Sequence, residues 1–409
     1  MKQDLDRLME ERGLNALVVA GKMNGNSPMY YMANGAKIIG GYVIKKRNEE
    51  PVLLSSPIDR EVAAASGLAT VTTAKYDFEG ILRDKTDRLV AIVEFYRRVF
   101  TNLGVRGRVG FYGMTDQGSA WRLLDALGEQ VEGVEIHGDY EPTLIDVARA
   151  TKDAAEAERI REVGRRSSII MGQTIEFLRS HQVKDGSLVQ ADGTPLTIGR
   201  VHKEINRFLA EQSLDVPEGV IFSIGRDAGV PHNKGNPKDI VRLGESIIFD
   251  FGTREAGGGY YFDMTRSFCL GYAPPEVEKA YQDVYDCIET LIGAYKAGNE
   301  TRHYTEMACE FLESRGHPTL ASDIKTQIGF ATGLGHGVGL AVHEQPFFSF
   351  APSENSVLQP GHIFTCEPGL YYPDRGFGVR IEDVIWIDSD GAALDLTDFS
   401  KELVIPLST

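Results

Sequence analysis

Cysteine is scarce in this chain, and no two cysteines are spaced as a metal-binding or redox pair. Cys269, Cys287, Cys309 and Cys366 all fall in the second half, without a C-x-x-C motif. That excludes a thiolate zinc knuckle and points to buried free thiols in a reducing compartment rather than to a disulfide framework. A run of eighteen apolar residues is also missing, so no segment is long enough to cross a bilayer as a helix. Basic residues are outnumbered, 43 lysines and arginines against 59 acids, which leaves a net charge of −16. Such a balance argues against nucleic acid or an anionic membrane as a partner. The opening stretch, MKQDLDRLMEERG, is a charged amphipathic helix start, unlike a signal or transit peptide. A cytoplasmic protein is the expectation.

Apolar material is ample. Hydrophobic residues make up 42% of the 409 positions, a length that suits two domains. Residues 1–147 alternate short helices and strands. Strands are expected at Ala16–Ala20, Gly41–Ile44, Val52–Ser55, Thr70–Thr73, Val109–Tyr112 and Val134–His137. Helices fit at Asp59–Ser66, Asp87–Leu103 and Asp116–Leu127. This is an α/β layer with a mixed or parallel sheet. Its Gly21–Ser27 loop lacks the G-K-[ST] ending of a phosphate cradle and reads as an ordinary turn. The second domain, 148–409, begins with a helix over Ala154–His181, with Ile160, Val163, Ile169, Ile170, Ile175 and Leu178 as core candidates. A turn-rich excursion (Lys184–Gly199), a helix over Val201–Gln212, a helical pair (Pro275–Ala297 and Tyr304–Arg315) and a glycine-rich β region follow. Without a regular βαβ rhythm, this half is α+β.

The chemistry gathers in that half. Gly244–Asp263 reads as a β-hairpin with Asp250 in one strand and Asp263 in the other. A turn centred on Ala256-Gly257 sets the two directly opposite each other, and opposed Cβ atoms lie about 5 Å apart. Two carboxylates that close in an apolar hairpin repel unless something positive lies between them. Residues 361–382 repeat the design, with Glu367 facing Glu382 across a turn at Asp374-Arg375. Both Asp250 and Glu367 stand six residues after one glycine and two before another, which suggests an internal pseudo-twofold. His336, in Gly335-His336-Gly337-Val338-Gly339, is a fifth ligand candidate. Four acids and one imidazole form an oxygen-rich set that suits two divalent cations of the Mn, Co, Fe or Zn kind. Two metals about 4 Å apart activate a water between them and polarise a scissile carbonyl. His232 and His343 lie in suggestive places, where an imidazole beside such a centre can hydrogen-bond a carbonyl oxygen, though either taken singly reads as an ordinary surface or core histidine. The His343-Glu344 pair is no zincin motif, because Phe347 replaces the second histidine.

These residues resemble the dinuclear metallopeptidases of the creatinase, prolidase and methionine aminopeptidase superfamily, from about Ala148 to the C-terminus. The resemblance implies a pita-bread catalytic domain preceded by the smaller N-terminal domain of prolidases and aminopeptidase P. It implies Asp250, Asp263, His336, Glu367 and Glu382 as metal ligands, with Asp263 and Glu382 contacting one metal or bridging. Glu367 is then the acid that carries a proton to the leaving nitrogen, and His232 and His343 are the substrate-side histidines. Thr265 and Arg380 orient ligands. The implied activity is an exopeptidase acting on Xaa-Pro bonds in dipeptides or at peptide N-termini, with manganese the first choice of metal and a homodimer the expected assembly. The Asp250–Asp263 spacing is two residues longer than in the family. Proline-specific members commonly carry a histidine where Thr332 stands, which leaves a hydrolase of another small C–N substrate as the alternative. A binding protein that had lost catalysis would lack ligands, and this chain has all five.

Overall fold

The computed structural model describes residues 4–407, so Met1–Gln3 of the N-terminal helix reading lie outside the described residues. The polypeptide divides into two compact units, Met1–Arg149 and Ala150–Thr409.

Unit 1 is a six-stranded sheet built outward from its most apolar segment. α1 (Leu5–Glu11) leads into β1 (Ala16–Lys22), whose first four residues are fully buried. After α2 (Ser27–Met32) come β2 (Gly40–Lys46), β3 (Val52–Ser55), α3 (Arg60–Ala64) and β4 (Ala69–Thr72). They are followed by α4 (Phe78–Asp84), α5 (Arg88–Leu103), β5 (Gly107–Tyr112), α6 (Gln117–Gln130), β6 (Val134–His137) and α7 (Leu144–Ala150). The order is β4-β3-β2-β1-β5-β6, with β1 antiparallel to β2 and parallel to β5. Alternation along β1 sends Ala16 and Val18 into one core with Val93, Tyr96 and Phe100 of α5. Leu17 and Val19 are buried on the opposite face. α5 starts where the Asp87 carboxylate accepts from the Leu89 and Val90 amides, and ends at Gly104 with φ +68°. The Gly21–Ser27 loop is a turn whose Asn26 side chain caps α2 by accepting from Met29.

In unit 2, α8 (Ala154–Arg179) opens on a reciprocal cap between Asp153 and Glu156. Ile160, Val163, Ile170, Ile175 and Leu178 are buried, whereas Ile169, on the flank of that stripe, is only half buried. The 184–199 excursion is a small ribbon, β7 (Gln182–Lys184) and β8 (Ser187–Val189), that turns at Asp185-Gly186 with positive φ at both. Next come α9 (Ile198–Glu211), β9 (Leu214–Asp215), β10 (Ile221–Ile224), β11 (Ser246–Asp250), β12 (Thr253–Glu255), β13 (Tyr261–Phe262) and β14 (Thr265–Leu270). Two helices, α10 (Pro275–Ala294) and α11 (Thr301–Ser314), separate this β region from a second one. The second holds β15 (Gly335–Gly337), β16 (Glu344–Phe348), β17 (Ile363–Cys366), β18 (Gly369–Tyr372), β19 (Phe377–Arg380), β20 (Asp383–Ile387), β21 (Ala393–Asp395) and β22 (Val404–Ile405). One sheet runs β10-β11-β14-β22 and another β16-β15-β17-β20-β21. α10 and α11 pack against the second region through Val284, Ile288, Tyr304 and Leu312. At Gly164 a Cβ would lie 2.4 Å from the Phe262 ring, so this glycine lets α8 sit on the ribbon that carries Asp263. All four cysteines are free and buried in this unit.

Candidate metal centre

The acids are delivered by two broken ribbons. In the first, β11 pairs with β14 and β12 with β13, and Asp250 faces Thr265 while Thr253 faces Phe262. The direct opposition of Asp250 and Asp263 expected from the sequence is therefore off by two residues. The cause is the turn. Gly257, Gly258 and Gly259 all take positive φ, and they place the reversal later than Ala256-Gly257. A slip of two preserves side-chain parity, and the two aspartates still act on each other electrostatically. In the second ribbon Cys366 pairs with Asp383 and Gly369 with Arg380, which brackets Glu367 and Glu382 in the register the spacing predicts. The ribbons meet where the Glu382 amide donates to the Thr265 carbonyl at 3.1 Å.

His336 enters from β15, held between β16 and β17. A Cβ at Gly335 would lie 2.1 Å from the Thr365 carbonyl oxygen, and one at Gly337 2.1 Å from that of Gln345. Only glycines permit this close three-strand approach. The Nδ1 of His336 is 3.2 Å from the Gly337 carbonyl, so it carries the proton and donates. The lone pair on Nε2 then points at acids, 3.3 Å from Glu367 Oε1 and 3.9 Å from Asp263 Oδ2. A lone pair facing carboxylate oxygens is repulsive unless a proton or a cation lies between them.

The ligand atoms of Asp263, His336 and Glu382 lie within 4.8 Å of one another, all three residues buried. Burial, reinforced by Asp250, pushes the Asp263 carboxyl up to about 8. Burial and then Asp263 push Glu382 well above the ordinary carboxylate range. Desolvation pulls His336 down, but Glu367 overcomes it and raises the imidazole to about 9. Glu367 moves the other way: burial would raise it, yet the His336 contact holds it below its usual value. Asp263 Oδ1 is buried without a hydrogen-bond partner. An orphaned buried carboxylate oxygen, crowded acids and an imidazole nitrogen aimed among them are what a divalent cation satisfies. The donor set fits one.

Neighbouring residues fix these groups. The Thr265 hydroxyl donates to Glu382 Oε2 at 2.7 Å. Arg380, itself 2% exposed, donates to the Asp250 carboxylate, to the Tyr371 hydroxyl at 2.7 Å and to the Thr265 hydroxyl oxygen at 3.2 Å. Thr365 donates to Glu367 Oε1 at 3.2 Å and accepts from the His336 amide at 3.1 Å. Sequence reasoning passed over Thr365, although it stands two residues before Glu367 on the same strand face. The His343 ring lies 4.2 Å from that of His336, centroid to centroid. Burial and then the neighbouring His336 lower the His343 pKa, and His232 adds a smaller push in the same direction. His232 is exposed.

Sequence reasoning also missed what holds the His343 loop. Lys152 Nζ donates to Glu344 Oε1 at 2.6 Å, with both side chains 1% exposed. Glu344 Oε2 accepts from the Leu340 and Ala341 amides at 3.2 and 3.3 Å. These partners lie 192 positions apart, so no local pattern announces them.

Comparison with known proteins places this site in context. The model of metallopeptidase family M24 matches residues 158–389. The uncharacterized peptidase YqhT of Bacillus subtilis is 30% identical over 206 residues, which are 50% of this chain and 54% of YqhT. The chain thus spans about half the length of that relative. The Xaa-Pro dipeptidase of Pyrococcus furiosus is 24% identical over 414 residues, 99% of this chain and 100% of that protein. Among solved structures, an Xaa-Pro dipeptidase from Bacillus anthracis matches with a TM-score of 0.76 at 22% identity, covering 99% of both chains. The fold is the pita-bread arrangement with an N-terminal α/β domain.

Proposed function

The chain belongs to metallopeptidase family M24, and from that premise we propose that it is a dinuclear-metal exopeptidase cleaving Xaa-Pro bonds in dipeptides or at peptide N-termini. The observation that carries the proposal is the convergence of Asp263, His336 and Glu382, with Glu367 against His336 and Asp250 against Arg380. In this reading Asp250, Asp263, His336, Glu367 and Glu382 hold two divalent cations, with manganese the first choice. When bound, such ions supply Lewis-acid polarisation and a nucleophile at neutral pH. Glu367 takes up a proton at its carboxylate and returns it to the departing nitrogen. His343 and His232 orient the substrate carbonyl. Hydrolysis of a prolyl bond releases a secondary amine, a poor leaving group without that proton. The names of the relatives support the Xaa-Pro assignment. A homodimer belongs to the same proposal.

Thr332 favours a second reading, a hydrolase of another small C–N bond on the same site. A panel of Xaa-Pro dipeptides, Xaa-Pro tripeptides and small amides separates the two, assayed after chelation and reloading with Mn, Co or Zn. The first reading expects Xaa-Pro turnover that disappears in Glu367→Gln. Turnover of amides alone would establish the second.

A further inference from the structure

Unit 1 contains a cavity of about 680 Å³ that the peptidase reading leaves unused. It lies at the carboxyl ends of β1 and β5, under α5 and α6. Gly21, Gly40, Gly41 and Gly113 border it, so one rim is bare backbone. The carboxyl ends of parallel strands are where open α/β sheets take ligands, and the volume suits a small organic molecule. The deep wall is aromatic. Tyr42 and Tyr96 meet edge to face at 5.5 Å, and Tyr96 meets Phe111 at 5.9 Å.

Three polar side chains lining this cavity make no hydrogen bond or ion pair among the described residues. The Tyr96 side chain is 2% exposed, and neither its hydroxyl nor that of Tyr42 hydrogen-bonds to any described residue. Arg88, at the first turn of α5, makes no ion pair among the described residues, yet its guanidinium bears on the Tyr42 hydroxyl. Buried hydroxyls are normally partnered. A free phenol donor beside a free guanidinium forms a recognition set for a carboxylate. Lys22 and Glu79 also line the cavity, so its charged groups sum to a net positive charge.

We propose that this cavity binds a small amphiphilic carboxylate, an aryl or branched-alkyl body held among Tyr42, Tyr96, Phe111 and Ile92 with its anionic end on Arg88 and the Tyr42 hydroxyl. The ligand is either a free apolar amino acid or a simple organic acid, and the two differ only in the ammonium that Glu79 would meet. The full-length protein is titrated calorimetrically with 3-phenylpropionate, phenylalanine, 3-phenylpropanol and phenethylamine. The proposal expects 3-phenylpropionate to bind, and tighter binding of phenylalanine would identify the amino-acid source. Arg88→Gln weakens the acid about 10- to 100-fold, and Tyr42→Phe weakens it by a smaller factor. Ile92→Trp, which fills the chamber, abolishes binding, with thermal unfolding showing that each variant is folded. No binding of either carboxylate, binding of the alcohol or amine as tight as the acid, or an undiminished affinity in Arg88→Gln would each overturn the proposal.

Discussion

Thr265 sits opposite Asp250 in the first ribbon and sends its hydroxyl to Glu382 in the second, and the same oxygen accepts from Arg380, which holds Asp250. Removing such an outer partner typically costs about 10- to 100-fold in metal affinity. Thr265→Val is expected to weaken metal binding by that factor in competition titrations, while Thr265→Ser restores it. His362 carries a different lesson. Burial, helped by Lys152, pushes its imidazole down to about 3, so it is neutral in the fold. The unfolded chain takes up a proton there below its ordinary 6.5. Stability is therefore complete above that value and is lost as pH falls toward 3. Each unit of that window is worth about 1.4 kcal/mol. Plots of unfolding free energy against pH should show a shallower acid limb for His362→Asn than for the unaltered chain. A parallel limb would mean that the imidazole is not held neutral. His362 looked unremarkable in the sequence, because its environment is supplied by a lysine 210 positions away.

At the level of elements, the two ribbons show how far a spacing argument reaches. The turn at Pro373–Arg375 is compact and ends at Gly376 in the left-handed region, so counting outward from it gives the observed register. Gly257-Gly258-Gly259 offers several ways to reverse the chain, and the register there moved by two. Strand edges and the long α8 helix were legible from periodicity. The short α2 and α4 were not, since α2 is set by its Asn26 cap and α4 has no side-chain cap to announce it. On β15, Gly335→Ala would drive a methyl into the Thr365 carbonyl. It should displace His336 and cut bound metal per chain, measured by atomic absorption. The Lys152–Glu344 pair ties the start of unit 2 to the loop of His343. Breaking a buried pair from one side costs about 3–5 kcal/mol, because the other charge stays behind. Lys152→Met should lower stability by that amount in urea melts, and adding Glu344→Gln should recover part of it.

For the molecule as a whole, the centre couples metal content to stability. Asp263, Glu382 and His336 all have raised pKa values when no cation offsets their mutual crowding. Groups raised on folding stabilise at low pH, and that contribution is lost as pH climbs through their folded values, about 8 for Asp263 and about 9 for His336. Bound cations relieve the same repulsion, and they bind better as their ligands deprotonate. The Tm difference between loaded and chelated protein should therefore widen steadily from acid to mildly alkaline solution, as followed by calorimetry. A constant difference would argue against these acids as the metal-holding set.

The placement of sulfur offers a practical handle. Every cysteine lies between 269 and 366, shielded in the interior of one unit, while the other has none. Burial raises all four thiols, those of Cys269 and Cys287 to about 12, so maleimide dyes find no reactive thiolate in the intact molecule. The rate at which such a dye attaches becomes a clock for the opening of the second unit alone, blind to any breathing of the first.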